Sequence, residues 1–260
     1  MEQLIIGTLN VNQLGVPSGV TVENASNEIY KNLELLLAYV REFFFCYSNQ
    51  KVLILHEMKY KSSSRITGGY KEFERVLNNE GYKILKNNVS SIQDTVSFIT
   101  LAITKNKDVK LNSHSIFTHN KIARYVELKY KDYTLLGVHQ SIDSEQKQKP
   151  LNLDVFRKTC KNKFVILGDL NVNLYKMGIK KKEDLSENEV QYYKLVNDNV
   201  IDVFGNSIIP TFAGGSRIDY ILVSSDIVSA ISEQRQDNST RIGGKLFTDH
   251  SLLSITLNIE

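Results

Sequence analysis

Short apolar segments that end abruptly in polar residues are the feature of this sequence that most restricts its fold. Lys51–Leu55 is apolar and β-branched, and His56 and Glu57 follow it at once. Phe164–Leu167 ends in the same way, in Gly168-Asp169-Leu170-Asn171. Apolar runs of this length are typical of buried strands, and polar residues at one end place reactive side chains at the rim of a sheet. The sequence therefore predicts a buried sheet with chemistry at one edge.

Strands and helices are predicted to alternate along the chain. Hydrophobic residues at helical spacing indicate the helices, and short β-branched or aromatic runs indicate the strands. The predicted helices run from Asn24 or Ser26 to about Tyr47, and over Tyr70–Asn79, Leu153–Cys160 and Ser186–Val196. The predicted strands are Leu4–Val11, Lys51–Leu55, Ser97–Thr104, Arg124–Tyr130, Tyr133–Val138, Phe164–Leu167, Arg217–Val223 and Leu252–Leu257.

Two local patterns refine this outline. Lys131-Asp132 is so short a connection between two strands that it predicts a hairpin. Ser186 and Glu189 stand at capping-box spacing, which predicts the start of a helix. Because hairpins occur among the alternating elements, we expect an α/β fold with mixed sheets rather than a purely parallel one.

Length and composition limit the class of protein. The 260 residues are near the upper limit for one hydrophobic core, so we expect a single domain, residues 1–260. A hydrophobic fraction of 42% and a charged fraction of 23% are typical of globular proteins and argue against disordered and fibrous classes. The net charge of +3 permits an anionic polymer as partner without requiring one.

The cysteines and the N-terminus bear on the compartment. Cys46 and Cys160 are far apart, neither has the spacing of a metal site, and Cys46 is predicted to be a buried, inert thiol. The first residues, Met1–Gly7, lack the basic segment and the apolar core of a signal peptide. No stretch reaches the roughly 20 apolar residues of a membrane span. We expect a cytoplasmic protein without a membrane span.

The polar residues at the predicted strand ends form a recognisable set of ligands. They are Asn10, Asn12, Glu57, Asp169, Asn171, Asp219, Asp249 and His250. Carboxylates and carboxamides with a few imidazoles suit a hard divalent cation such as Mg²⁺ or Mn²⁺, and the lack of thiolate ligands argues against zinc. Such a cation beside a histidine–aspartate pair suits the attack of water on a phosphate ester.

Six short motifs occur in a fixed order, each after or within a predicted strand. They are Leu9-Asn10-Val11-Asn12, His56-Glu57-Met58-Lys59, Gly137-Val138-His139-Gln140-Ser141, Gly168-Asp169-Leu170-Asn171, Arg217-Ile218-Asp219-Tyr220-Ile221-Leu222 and Thr248-Asp249-His250-Ser251. Pro210-Thr211-Phe212 stands between the fourth and fifth of these motifs. Each motif alone is weak, but the ordered set resembles the exonuclease–endonuclease–phosphatase superfamily over Leu9–Leu257. Asn12, His56 and Thr248 depart from residues that are common in that superfamily.

The resemblance implies a fold and a metal. The fold is a four-layer α/β sandwich, in which two mixed β-sheets pack face to face and are flanked by helices. The cofactor is Mg²⁺, with Mn²⁺ as a possible substitute. Glu57 is expected to hold the metal with help from Asn10, and Asp249 is expected to contribute nearby.

The resemblance also implies catalytic roles. Asp169 is expected to orient or deprotonate the attacking water, and Asn171 to contact the phosphate. His250, paired with Asp219, is expected to stabilise the transition state or to transfer a proton. His139 stands where apurinic-site nucleases of the superfamily usually carry a Tyr-x-Pro-Asn segment. A histidine here resembles the deoxyribonuclease I, sphingomyelinase, deadenylase and tyrosyl-DNA phosphodiesterase branches, where it protonates the leaving oxygen or binds the phosphate.

Simpler explanations remain open for several side chains. Asp219 could pair with Arg217 instead of a histidine. Lys59, Lys61 and Arg65 either contact phosphates or form a solvated basic loop. Two further assignments are purely structural: Arg124 is expected to lie far from the site, and Phe43-Phe44-Phe45 is expected to pack in the core.

The sequence thus predicts a monomeric, magnesium-dependent phosphodiesterase, first of all a nuclease acting on DNA and second on RNA. One alternative is a phosphatase or phosphodiesterase that acts on a small phosphorylated molecule or a lipid headgroup. Another is a catalytically inactive binding module. The latter predicts loss of a central residue, whereas Glu57, Asp169, Asn171, Asp219 and His250 are all present.

Overall fold

The structure, a computed structural model, describes residues 2–15, 22–45, 50–62, 65–88, 97–112, 117, 123–141, 150–160, 163–174, 181–205, 207–242 and 247–259. The helices in this part of the chain are α1 (Val22–Phe44), α2 (Gly68–Asn79), α3 (Leu153–Thr159) and α4 (Glu187–Val196). Its strands are β1 (Glu2–Asn10), β2 (Lys51–Lys59), β3 (Lys61–Ser62), β4 (Arg65–Ile66), β5 (Lys83–Lys86), β6 (Phe98–Thr104), β7 (Lys110–Leu111), β8 (Tyr125–Tyr130), β9 (Tyr133–His139), β10 (Phe164–Asp169), β11 (Val200–Asp202), β12 (Asp219–Ser224), β13 (Ile231–Asp237) and β14 (Leu252–Ile259).

Two six-stranded sheets form the centre of the fold. The first has the strand order β13-β14-β1-β2-β6-β5 and the second the order β11-β12-β10-β9-β8-β7. Each sheet contains one parallel pair, β1 with β2 and β9 with β10, among antiparallel neighbours. The sheets are therefore mixed, as the sequence predicted. β3 and β4 form a separate two-stranded hairpin.

Three buried apolar clusters hold the layers together. Ile54 and Leu4 of the first sheet share one cluster with Leu135 and Leu167 of the second, so the two sheets pack face to face. A second cluster joins α1 and α2 to the outer face of the first sheet. A third joins α3 and α4 to the outer face of the second. The predicted four-layer α/β sandwich is confirmed.

Most predicted elements are confirmed, with differences at their ends. β2 continues through Glu57 to Lys59, and β10 continues to Asp169. Helix α1 begins at Val22, so Asn24 and Ser26 lie inside it and are not its caps. The predicted end of that helix at Tyr47 and the neighbouring Cys46 lie outside the described residues. The capping box of α4 is present, with Ser186 and Glu189 bonded reciprocally.

The sequence did not indicate several short strands at the sheet edges. β5, β7 and β11 have only two to four residues, too few to show a periodic pattern. β13 is polar and mostly exposed, because it is an edge strand with one neighbour. In the predicted Phe43–Phe45 core segment, Phe43 and Phe44 pack against the helix-side cluster, but Phe45 is 86% exposed. Among the described helices, none is long and apolar enough to cross a membrane.

Candidate active site

The predicted site residues converge on one end of the sandwich. Asn10, His139 and Asp169 are the last residues of β1, β9 and β10. Asp219 begins the antiparallel strand β12, so its N-terminal end lies at the same rim. In the second sheet, Asp169 stands directly opposite both His139 and Asp219. The strand register thus brings these three side chains together without any help from loops.

A β-bulge places Glu57 at this rim. Between the pairs Leu55–Leu101 and Met58–Ile99, His56 and Glu57 of β2 stand opposite the single residue Thr100. Glu57 has a φ of 53°, in the left-handed region that a side chain such as glutamate seldom adopts. A bulge of this kind redirects a side chain. The sequence suggested that the strand ends before His56-Glu57. In the structure β2 continues to Lys59 and is bent at these two residues.

His56 packs in the interior beneath the rim and does not line the site. Its imidazole is fully buried between Thr8 and Thr100, with Nε2 2.8 Å from Thr8 Oγ1. Burial and the neighbouring His139 hold the pKa of His56 well below its usual value, so the ring is neutral. Gly168 lies against it with a φ of 138°, and a β-carbon there would fall 2.7 Å from His56 Nε2. This packing explains why the Gly-Asp-Leu-Asn motif begins with glycine.

The first half of the site joins the two sheets. Glu57 Oε1 lies 2.9 Å from His139 Nε2. Arg124 Nη1 lies 3.4 Å from the other ring nitrogen, Nδ1. A guanidinium only donates, so this contact favours the tautomer in which Nδ1 accepts and Nε2–H donates to Glu57. Burial alone would raise the pKa of Glu57, but the charge and hydrogen bond of His139, with the charges of His250 and Arg124, lower it to about 2.

Arg124 is a site residue that the sequence analysis assigned wrongly. It is 8% exposed, and its guanidinium stacks over the Phe98 ring, 5.3 Å from the centroid. The ladder between β8 and β9 pairs Tyr125 with Val138, so the next position along brings Arg124 beside His139. Arg124 immediately precedes β8 and lies at this rim because β8 runs antiparallel to β9. Only strand direction could have revealed this, and no local motif marks it.

The second half of the site is a buried charge pair. His250 Nδ1 lies 2.9 Å from Asp219 Oδ2 and 3.2 Å from Oδ1. Burial alone would lower the pKa of His250, but the charge and hydrogen bond of Asp219, with the charges of Asp169 and Asp249, raise it to about 10. Phe212 packs its ring 5.1 Å from the imidazole. His250 is therefore an imidazolium at neutral pH.

Arg217 does not compete for Asp219. Its Nη2 donates to both carboxylate oxygens of Asp202 at 2.6 Å, in a buried ion pair. Thr211 Oγ1 instead accepts hydrogen bonds from the backbone N–H groups of Ile218 and Asp219. The simpler explanation in which Arg217 pairs with Asp219 is wrong.

Asp169 lies between the two halves. Asn10 Nδ2 donates to its Oδ2 at 3.1 Å, and the Asn171 N–H donates to its Oδ1 at 2.9 Å. Oδ2 is also 4.0 Å from His139 Nε2. Burial and the nearby Asp219 carboxylate raise the pKa of Asp169 to about 6. Asn171 Nδ2 donates to the Gln140 carbonyl, which fixes the orientation of the amide.

Two sets of side chains could hold a cation. Ligand atoms of Asp169, Asp219 and His250 lie within 4.8 Å of one another, the one such group among the described residues. However, a protonated imidazole has no lone pair for a metal, and both carboxylates already accept hydrogen bonds. This set is better explained as a buried histidine–aspartate ion pair beside a second carboxylate than as a complete metal site.

Glu57, Asn10 and Asp249 fit a hard cation better. The side chains of Glu57 and Asp249 are 17% and 32% exposed, so an ion can reach them. Asp249 Oδ1 is buried and has no hydrogen-bond partner among the described residues, although His250 Nε2 lies 3.7 Å away. At that distance the oxygen still lacks a hydrogen bond, which a metal ion or water would supply. Asn10 Oδ1 accepts only the Asn12 N–H there, at 2.9 Å, and keeps a second lone pair.

The Asn12 turn and Lys59 border this set. Asn12, Gln13 and Leu14 have φ values of 41°, 52° and 61°, three successive non-glycine residues in the left-handed region. Lys59 Nζ donates to Gln13 Oε1 at 3.3 Å, and burial lowers the pKa of Lys59. Lys61 lies over the Tyr60 ring, and the side chain of Arg65 lies outside the described residues. Of the three basic residues considered earlier, Lys59 is the one built into the rim.

Comparisons with known proteins agree with this fold. No family model matches the chain, and the search of curated proteins finds no match. Among solved structures it is similar to the 3′ phosphatase NExo from Neisseria bound to product DNA hairpin, at 17% identity, 98% coverage of this chain, 100% of that chain and a TM-score of 0.65. It is also similar to an AP endonuclease from Archaeoglobus fulgidus, at 17% identity, 98% and 100% coverage and a TM-score of 0.63. A humanized D. rerio TDP2 matches at 16% identity, 99% coverage of each chain and a TM-score of 0.60. These likenesses extend over nearly the whole chain and establish the fold.

Proposed function

We propose that this chain is a metal-dependent phosphoric ester hydrolase of the exonuclease–endonuclease–phosphatase superfamily, with residues 1–260 as its catalytic domain. Its proposed reaction is the hydrolysis of phosphodiester bonds. One observation carries the proposal. Asp169 stands opposite both His139 and Asp219 in the second sheet, while Glu57 reaches His139 from the first sheet at 2.9 Å. Motifs that lie far apart in the sequence, from Glu57 to Asp219, thus form one constellation.

Glu57, Asn10 and Asp249 are the residues that we propose to hold Mg²⁺, with Mn²⁺ as a substitute. Their oxygen atoms suit such ions, and the low pKa of Glu57, about 2, keeps it charged. When bound, a divalent ion neutralises charge on the phosphate and polarises the ester.

Asp169 is the proposed base for the attacking water. With a pKa of about 6 it is ionised at neutral pH yet more basic than an ordinary aspartate. Asn10 and the backbone of Asn171 hold the carboxylate in one orientation. The Asn171 amide, fixed by the Gln140 carbonyl, is proposed to contact the phosphate.

The two histidines are proposed to manage the remaining charge. The His250 imidazolium, held by Asp219, stabilises the negative charge that grows on the phosphate in the transition state. His139 offers Nε2–H close to Glu57 and Asp169; as the neutral ring it donates this hydrogen bond to the phosphate, and as the imidazolium it protonates the leaving oxygen. Asp219 acts through His250 and is a positioning residue.

The proposed substrate is nucleic acid, DNA before RNA. Two similar structures support this choice, since one contains a product DNA hairpin and another is an AP endonuclease. His139 occupies the position where apurinic-site nucleases of the superfamily usually carry a different segment, so abasic DNA is not our first choice. A small phosphorylated molecule or a lipid headgroup is the alternative substrate, and an inactive binding module is the alternative function.

A substrate panel tests the proposal. Purified protein is incubated with single- and double-stranded DNA, 3′-phosphorylated DNA, an abasic duplex, RNA and a generic phosphodiester, each with Mg²⁺, with Mn²⁺ and with chelator. We expect metal-dependent cutting of a polymer that Asp169→Ala abolishes. Asp184→Ala is the matched control, because Asp184 is an exposed aspartate outside the site. Turnover of the small ester alone would support the alternative substrate, and no turnover of any substrate would contradict the hydrolase proposal.

A further inference from the structure

Lys59 is a buried cation that has no carboxylate partner among the described residues. It is 6% exposed, and its Nζ donates one hydrogen bond, to Gln13 Oε1 at 3.3 Å. Among the residues that the structure describes, it forms no ion pair with a carboxylate. Lysines are rarely buried unless they are paired, and a buried charge is costly until a counter-ion arrives. Among the described residues, the surroundings of Lys59 therefore lack an anion to balance its charge.

The position of Lys59 links it to the proposed active site. It is directly opposite Phe98 in the ladder between β2 and β6. The Phe98 ring packs 5.6 Å from the His139 ring and lies beneath Arg124. Lys59 also follows Glu57 by two residues on β2, just past the bulge that places Glu57 at the rim. An anion held by Lys59 would therefore lie close to the proposed site of the reacting phosphate.

The turn at Gln13 fixes the direction of Lys59. Asn12, Gln13 and Leu14 are all left-handed, which L-residues adopt only where the surrounding structure imposes it. Leu14 is 1% exposed and its N–H donates to the Val11 carbonyl at 2.8 Å, so the turn is anchored in the core. The Gln13 amide on this rigid turn therefore holds the Lys59 ammonium in place before any ligand binds. Such preorganisation lowers the entropic cost of binding an anion.

We propose that Lys59 binds a phosphate next to the one being hydrolysed, so that the preferred substrate is the polyanionic backbone of a nucleic acid. This inference rests on the proposed function and deepens it by naming the feature that distinguishes a polymer from a lone ester. The proposed site of the reacting phosphate is formed by Asp169, His139 and His250, which lie together. Lys59 lies outside that group and adds a second point of contact along the strand.

The first test compares substrates with one phosphate and with many. Wild-type and Lys59→Met proteins are assayed on bis(p-nitrophenyl) phosphate and on DNA and RNA oligonucleotides. We expect kcat/KM on the preferred oligonucleotide to fall at least about tenfold more than on the single diester, mainly through KM, as for a lost hydrogen bond to a charged group. The slope of log kcat/KM against log salt should decrease in magnitude by about one, as for one lost phosphate contact. An equal loss on both substrates would place Lys59 on the reacting phosphate and overturn the inference.

A second test locates the phosphate. Single linkages of the oligonucleotide are replaced in turn by neutral methylphosphonates, and binding is measured by fluorescence anisotropy in chelator, where no hydrolysis occurs. We expect one neutral linkage to weaken wild-type binding about tenfold and to have little further effect in Lys59→Met. Fully additive effects at every linkage would contradict the proposal. Because this measurement needs no turnover, it also distinguishes failure of the inference from failure of the proposed hydrolase activity.

Two further variants control for folding and net charge. Lys59→Arg keeps the cation and should recover most of the oligonucleotide affinity, whereas a purely structural role for the lysine stem predicts equal defects in both variants. Lys83→Met removes an exposed lysine from β5 and should leave affinity and salt dependence close to wild type. Thermal melting confirms that each variant is folded. If Lys83→Met weakened binding as much as Lys59→Met, overall charge and not a built site would explain the effect.

Discussion

The rim where the candidate site lies contains two histidine–carboxylate pairs. Their nitrogen–oxygen distances are equal, but the charged groups around them differ. His250 Nδ1 lies 2.9 Å from Asp219, and His139 Nε2 lies 2.9 Å from Glu57. The charges of Asp169 and Asp249 also act on His250, and with Asp219 they raise its pKa to about 10. His139 has the Arg124 guanidinium on its other nitrogen instead. Equal hydrogen-bond lengths therefore do not imply equal roles, because the charged groups around the two rings differ.

The two pairs also differ in access. The Asp219 side chain is 3% exposed, whereas that of Glu57 is 17% exposed and joins one sheet to the other. The closed pair suits permanent stabilisation of negative charge. The more exposed pair, Glu57 with His139, is placed where metal ions and substrate can reach it. The following predictions separate these two roles, from the largest expected effect to the smallest.

Breaking the closed pair should have the largest effect. In Asp219→Asn the size and shape of the side chain remain, but the His250 imidazolium loses its counter-charge. We expect kcat to fall by roughly a thousandfold to ten-thousandfold, the order seen when a catalytic histidine loses its aspartate. Steady-state kinetics measure the loss, and His250→Ala should add little to it in the double variant. Independent, multiplying effects would show that the two residues do not act as a unit.

Neutralising the open pair should act through the metal. Glu57→Gln keeps the size of the side chain and its contact with His139, but it removes the charge proposed to hold Mg²⁺. We expect activity at limiting Mg²⁺ to fall by roughly a hundredfold or more, with partial recovery as the metal concentration rises. Activity over a Mg²⁺ titration, with calorimetry of metal binding, checks this. An unchanged metal requirement would exclude Glu57 as a ligand.

Removing His139 should have an effect that depends on the leaving group. His139→Ala is expected to slow cleavage of an ordinary phosphodiester by about a hundredfold, as for loss of a general acid. A p-nitrophenolate leaving group needs little protonation. If His139 is a general acid, His139→Ala should therefore slow cleavage of a p-nitrophenyl ester much less than cleavage of an ordinary phosphodiester. Equal losses would assign His139 to phosphate binding, and wild-type rates would leave it only a structural role.

The stability of the metal-free protein should show the smallest effect, through pH. The pKa of His250 is raised from 6.5 to about 10, so its contribution to stability is complete below pH 6.5 and is lost as pH rises toward 10. The pKa of Asp169 is raised to about 6, so its effect changes only below that window. We expect the melting temperature in chelator to fall between pH 6.5 and 9 by more in wild type than in Asp219→Asn. Parallel curves would contradict a charged, Asp219-dependent His250.

Much of the fold and of the site could be predicted from the sequence because the signals are local. Apolar runs that end in polar residues indicated β1, β2 and β10, and the order of the motifs indicated the sandwich. The pairing of His250 with Asp219 followed from the same resemblance and is observed at 2.9 Å. The roles of these residues and the identity of the metal remain proposals.

Other features could not be predicted because they depend on strands that are distant in sequence. Arg124 was expected to be remote, yet the antiparallel course of β8 brings it to His139. The contact between Glu57 and His139 exists only because the two sheets pack face to face. The left-handed φ of Glu57 could not be predicted either, because glycine or asparagine usually occupies such a position and glutamate seldom does.

The sequence by itself determined which chemical groups this protein carries and in what order, because hydrophobic periodicity and short motifs are properties of neighbouring residues. Tertiary structure alone decided their charge states and partners. Burial, strand register and the distance to other charges set the pKa of about 2 for Glu57, about 6 for Asp169 and about 10 for His250. Electrostatic interactions act through space between residues remote in the chain. The same three residue types in another register would therefore not form this site.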